Sequence, residues 1–213
     1  MDNGSRPPKL PGNRQDKRAG EGFVYVYIPT GGVSVCGIVG YVGPRNATPI
    51  VLEGLKRLEY RGYDSAGLAV IQADGSIGVR REVGKLAGLL EVVQADPIQG
   101  QVGIGHTRWA THGEPCRRNA HPHVGATGEV AAVHNGIIEN FLELRAEMEA
   151  EGRQFASETD SEVVVHLVEA FLAGGADLTT AVRRALNHVK GANAFVFICS
   201  REPDRLVAVR LGN

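Results

Sequence analysis

The chain has 213 residues, 43% of them hydrophobic and 22% charged, enough to build a core and incompatible with global disorder. Its 23 Lys and Arg against 24 Asp and Glu leave a net charge of -1, which carries no electrostatic footprint for nucleic acid or an anionic membrane. No apolar run approaches the ~18 residues of a bilayer span, and three widely spaced cysteines, Cys36, Cys116 and Cys199, read as reduced thiols of a cytoplasmic protein.

Residues 1–35 differ from the rest. Met1 to Gly22 is polar and rich in Pro and Gly, so it buries too little apolar surface to order itself, and the patch Phe23 to Ile28 is cut by Pro29, Gly31 and Gly32. The patch is too short and too aromatic for an export signal. We therefore expect 1–35 to be a disordered leader, either a mis-assigned start or a removed segment. Folded texture begins at Val35. Cys36 to Val42 reads as a buried strand, Asn46 to Leu58 as a helix with Ile50, Val51, Leu55 and Leu58 on one face, and 66–71 with 77–81 as a hairpin turned at Asp74-Gly75. Val102 to Trp109 and Val130 to His134 follow as strands, Asn140 to Glu151 as a helix ending at Gly152. Thr159-Asp-Ser-Glu162 has the pattern of a capping box, a helix runs near 178–189, and 194–198 and 206–209 are β-rich. Strands and helices fall in groups rather than alternating, so the expected class is α+β with antiparallel sheets.

Four segments carry side chains suited to chemistry. Cys36 is either a buried core thiol or a nucleophile at the first residue of a folded domain. In the second case its own α-amine (pKa about 7.7–8.0) accepts the proton of a thiol near 8.5. His106-Thr-Arg-Trp-Ala-Thr-His-Gly113 and Asn119-Ala-His-Pro-His123 bring four histidines into eighteen residues, but without the offsets of a metal site. They are equally a solvated loop or a pocket wall in which Arg108 forks onto a carboxylate and Trp109 covers it. His134-Asn135-Gly136 is first of all a turn, yet an Asn amide and a Gly N–H can converge on one oxygen. Asp160, beside a helix N-terminus, suits a substrate ammonium.

Taken together, Cys36-Gly-Ile-Val-Gly, Leu58-Glu-Tyr-Arg-Gly-Tyr-Asp-Ser-Ala-Gly67, His106 to Gly113, His134 to Asn140 and Ser157 to Asp160 resemble the glutaminase half of the glutamine–fructose-6-phosphate aminotransferases. The resemblance runs in order from Cys36 to about Val209. It implies the N-terminal-nucleophile hydrolase fold, a four-layer αββα sandwich with antiparallel sheets. It also implies L-glutamine as substrate, hydrolysed to glutamate and ammonia through a Cys36 thioester. Asn135 and Gly136 would stabilise the oxyanion, with Arg108, Trp109, Thr111, His112 and Asp160 binding glutamine, and neither metal nor cofactor taking part. In the family the ammonia serves fructose 6-phosphate, making glucosamine 6-phosphate in an isomerase half, and the enzyme is a homodimer. By that pattern 36–213 is an amidotransferase domain that stops before the family's last glutaminase strands and lacks the isomerase half. Two other readings stay open: an amidotransferase for another acceptor such as phosphoribosyl pyrophosphate, or an inactive glutamine-binding remnant.

Overall fold

The computed structural model describes residues 22–26, 36–59, 63–109 and 113–212. Its elements in chain order are β1 (Gly22–Val26), β2 (Gly37–Val42), α1 (Ala47–Leu58), β3 (Ser65–Ile71), β4 (Ile77–Val83), α2 (Leu86–Ala95) and β5 (Val102–Arg108). They continue with β6 (His123–Val124), β7 (Val130–Gly136), α3 (Phe141–Ala150), α4 (Glu162–Ala173), α5 (Leu178–Leu186), β8 (Asn193–Cys199) and β9 (Leu206–Leu211). Two antiparallel sheets result, one ordered β1-β2-β5-β3-β4 and the other β6-β7-β8-β9.

Period-2 alternation divides the apolar residues among three layers. On β2, Val39 and Tyr41 face α1, while Ile38 faces the second sheet. On β3, Leu68 and Val70 pack under the helices, and Ala69 and Ile71 join the layer between the sheets. The second sheet mirrors this. Phe195 and Phe197 of β8 pack on α3, α4 and α5, whereas Val196 and Ile198 meet Ile38 and Ile104 between the sheets. Helices therefore cover both outer faces and the sheets cover each other, which is the αββα sandwich expected above.

Local chemistry accounts for most boundaries. Asn46 caps α1 by accepting from the Thr48 N–H (3.3 Å). Gly75, at φ 83°, makes the β3–β4 turn, and Gly152, at φ 88°, ends α3 after the Glu151 cap. Four expectations are corrected. Gly22–Val26, placed in the leader, pairs with β2 in register from Gly22↔Val42 to Val26↔Ile38. Asn135 and Gly136 do not turn but extend β7, opposite Ala194 and Asn193. The capping box is absent: the Glu162 carboxylate accepts from Ala156 N–H, Ser157 N–H and Ser157 Oγ, and Thr159 Oγ1 lies 3.0 Å from His123 Nε2. Helix α2 was not anticipated, its Leu86, Leu89 and Val93 packing against the outer face of the first sheet.

Candidate active site

The layer between the sheets turns polar at one end. Along β5 the inward positions run Val102, Ile104, His106, Arg108; along β7 they run Ala131, Val133, Asn135; along β2, Ile38 is preceded two residues earlier by Cys36. The alternation that builds a dry core thus delivers four candidate site residues to its rim. Register supports the placement, with Ile38 opposite His106 and Gly37 opposite Thr107, whose Oγ1 accepts from the Gly37 N–H (3.1 Å).

Cys36 Sγ accepts a hydrogen bond from the Trp109 N–H (3.1 Å) and faces the Trp109 carbonyl at 3.7 Å. Burial pushes the thiol pKa up, the Trp109 N–H pulls it down, and the charges of Asp64 and Arg108 act in opposite senses. Among the described residues, no imidazole or carboxylate is hydrogen-bonded to this sulfur. Cys199, by contrast, lies fully buried in the core under α4 and α5.

Asn135 reaches across from the second sheet and donates Nδ2–H to the Cys36 carbonyl (2.8 Å), while its Oδ1 lies 2.8 Å from His106 Nε2. Gly136 has φ 130°, and a Cβ there would run into Ala192 O and come within 2.7 Å of Asn193 Oδ1, so only glycine suits the position. Arg108 is 4% exposed, donating to Gly113 O (3.1 Å) with Nη1 3.7 Å from Asp64 Oδ1. Asp160 is buried, its Oδ2 accepting from the Ile138 N–H (2.9 Å) two residues past Gly136. Burial raises the Glu162 pKa, but the His166 ring 3.5 Å away and bonds from Ser157 and the Ala156 N–H outweigh it and hold the carboxyl at about 2. This anion ties down the segment that carries Asp160. Trp109, 46% exposed, projects at the edge of the site. Thr111 and His112 lie outside the described residues.

Behind this rim lie the buried rings of His106, His121, His123 and His134. The His106 and His121 centroids are 4.3 Å apart, and those of His121 and His123 4.5 Å. Burial keeps His106 and His123 neutral down to about pH 3 and lowers His121 well below the usual imidazole range. Hydroxyl and amide partners hold the rings: Ser161 Oγ lies 2.9 Å from His121 Nε2 and 2.8 Å from His134 Nδ1, and Asn193 Oδ1 2.8 Å from His134 Nε2. No group of three or more potential ligands among the described residues is arranged to hold a metal ion. Sequence reasoning assigned no role to Asp64 or Ser161, gave Glu162 only a helix-capping one, and did not separate His106 from the histidine cluster. Asp64 and His106 nevertheless sit inside the two long motif runs, where their spacing from Arg108 was visible.

Residues 106–211 match the model of a glutamine amidotransferase domain, beginning at His106 and taking in Arg108, Asn135 and Asp160. Curated relatives named glutamine–fructose-6-phosphate aminotransferase (isomerizing) extend the likeness over most of the chain. That of Symbiobacterium thermophilum is 54% identical over 176 residues, 83% of this chain and 28% of the relative. That of Pseudomonas putida is 54% identical over 179 residues, 84% and 29% respectively. The chain belongs to the glutamine amidotransferases. It spans under a third of the length of these curated relatives. Among solved structures, the glutamine phosphoribosylpyrophosphate amidotransferase of B. subtilis superposes with a TM-score of 0.64 at 28% identity, over 76% of this chain and 35% of that one. A structure described as the allosteric regulatory enzyme of purine biosynthesis gives 0.67 at 27% identity over the same shares. The amidotransferase domain thus has the N-terminal-nucleophile hydrolase fold, and its two sheets and outer helices follow the sandwich of those neighbours.

Proposed function

We propose that this domain hydrolyses the side-chain amide of L-glutamine, with Cys36 as nucleophile, and that its ammonia is destined for fructose 6-phosphate. The observation that carries the reading is the joining of Cys36 and Asn135 from different sheets through a 2.8 Å bond at the rim of a dry core. Cys36 Sγ attacks the amide carbon. The oxyanion that forms takes hydrogen bonds from the second Nδ2–H of Asn135 and from the Gly136 N–H. The thiol proton passes to the departing nitrogen, ammonia leaves, and water then cleaves the γ-glutamyl thioester to glutamate. Arg108 grips the substrate carboxylate, Asp160 its ammonium, and Trp109 covers the site, with Thr111 and His112 completing the wall. Identity of 54% to the fructose-6-phosphate enzymes, against 28% to the phosphoribosylpyrophosphate neighbour, favours the sugar acceptor. Glucosamine 6-phosphate would form in an isomerase half like that of the curated relatives, within a cytoplasmic homodimer.

A thiol raised by burial needs a base, and the α-amine of Cys36 supplies it only when the Val35–Cys36 bond is absent. On this reading the active species begins at Cys36, and its formation removes the edge strand β1 together with the rest of residues 1–35. Three proteins decide the matter when assayed for glutamate release with intact mass recorded: the chain from Met1, the chain beginning at Cys36, and the latter with Cys36→Ala. We expect the Cys36 form to exceed an intact Met1 form by roughly a hundred- to ten-thousandfold, and Cys36→Ala to be inactive. Equal rates in the first two would remove the terminal-amine base, and an active Cys36→Ala would remove the nucleophile.

A further inference from the structure

Asn135 is anchored on both sides of its amide. The Cys36 carbonyl can only accept, so the atom facing it at 2.8 Å is Nδ2, and Oδ1 must face His106. An amide oxygen can only accept as well, so His106 Nε2 carries the proton and donates. His106 is 1% exposed, packed at 4.3 Å against the His121 ring, and sits on the central strand of its sheet between Ile38 and Gly67. The two anchors differ in kind. The Cys36 carbonyl belongs to the residue that is acylated and released in each turnover, whereas His106 belongs to the rigid interior of β5. With only the first anchor, the amide can swing about that single bond. With both, its plane is held and its second Nδ2 hydrogen has one direction left.

We propose that His106 is the positioning residue of the oxyanion site, its Nε2–H fixing the Asn135 amide so that the free Nδ2 hydrogen meets the oxygen of the attacked glutamine amide. The inference rests on the glutaminase reading above and assigns a role to a side chain that touches neither substrate nor sulfur. The Asn135 Oδ1 acceptor selects the Nε2–H tautomer of the ring, which burial keeps neutral to about pH 3.

The test uses the active form with His106→Leu, which keeps volume without a donor, and His106→Gln, whose amide nitrogen can replace Nε2. His106→Met stands in should the leucine variant not fold. Loss of one oxyanion donor costs about a hundred- to a thousandfold in kcat, so a misdirected one should cost roughly ten- to a hundredfold. Glutamine KM should stay within twofold, and His106→Gln should recover most of the rate. Combined with Asn135→Ala, His106→Leu should cost nothing further, because its effect passes through Asn135. A kcat for His106→Leu within twofold of the parent, or full additivity in the double variant, overturns the proposal. An independent arm is the 1H–15N signal of the Asn135 side-chain amide. Its two Nδ2 protons are inequivalent in any primary amide because C–N rotation is slow. They should be widely dispersed and slow to exchange with solvent in the parent and in His106→Gln, and move towards free-asparagine shifts with faster exchange in His106→Leu. An unchanged signal in His106→Leu also overturns the proposal. Should Asn135→Ala leave kcat unchanged, the oxyanion assignment fails instead, and the amide signal still decides whether His106 orients Asn135.

Discussion

Arg108 shows why residue type matters at this site beyond charge. Its guanidinium is buried at the end of β5, donating to Gly113 O with Asp64 Oδ1 at 3.7 Å, so the fork is oriented before any substrate arrives. A lysine is a point charge on a flexible stem and cannot grip a carboxylate with two parallel bonds while keeping these partners. Arg108→Lys should raise the glutamine KM about tenfold or more, with a smaller effect on kcat. A KM within twofold of the parent would take Arg108 out of the binding site. Asn135→Ala should do the reverse. In the proposed mechanism its free donor matters most when the oxyanion forms, so kcat should fall about a hundred- to a thousandfold with KM little altered. Initial-rate kinetics on both variants separate the two roles.

At the scale of the element, β5 does two jobs with alternate residues. Val102, Ile104, His106 and Arg108 face the second sheet, while Gly103, Gly105 and Thr107 face α1. The glycines let α1 lie close against the strand. A Cβ on Gly105 would collide with Val51 Cγ1 and come within 3.0 Å of Leu55 Cδ1, and one on Gly103 would stand 3.0 Å from Ala47 Cβ. Gly105→Ala should therefore push α1 outward and destabilise by about 1–3 kcal/mol, a Tm drop of roughly 2–12 °C for a chain of this size. Calorimetry reads it directly. Unchanged Tm would mean that Val51 and Leu55 shift without cost and that the helix is not seated as tightly as this contact implies.

At the scale of the whole molecule, the buried histidines set the acid limit of stability. His106 and His123 have folded pKa values of about 3 against an ordinary 6.5, because burial disfavours the charged ring, and His121 is likewise lowered well below 6.5. Above pH 6.5 these rings are neutral in both states and contribute no pH dependence. Below it the unfolded chain takes up protons that the folded chain refuses, so stability falls with falling pH. The slope is about 1.4 kcal/mol per pH unit for each histidine until the folded values are reached. Glu162, held at about 2 from an ordinary 4.5, acts in the same direction below pH 4.5. Tm should be flat near pH 7 and above and fall steeply from pH 6.5 towards 4.5. A Tm constant from pH 7 to 5 would mean that the rings protonate inside the fold.

Much of this protein could be read from the chain alone, because alternation and punctuation are local. The β3–β4 hairpin follows from apolar runs around Asp74-Gly75, α1 from its spacing and Asn46, and the candidate nucleophile from Cys36 standing at the start of a glycine-bearing strand. Misreadings arose where distant groups overrode local preference. Asn135-Gly136 has turn chemistry, yet pairing with Asn193 and Ala194 draws it into β7. Thr159 and Glu162 have capping chemistry, yet His123 and the Ala156 and Ser157 amides claim them first. Which histidine stands behind Asn135 is likewise not a local property, since 29 positions and two sheets separate the partners. The sequence alone determined most of the strands and helices, though not β1 or α2, and the residue types available for chemistry. Only the packing of one sheet on the other decided which of them meet, because a side chain's partner across a sandwich depends on how two separately formed faces come into register.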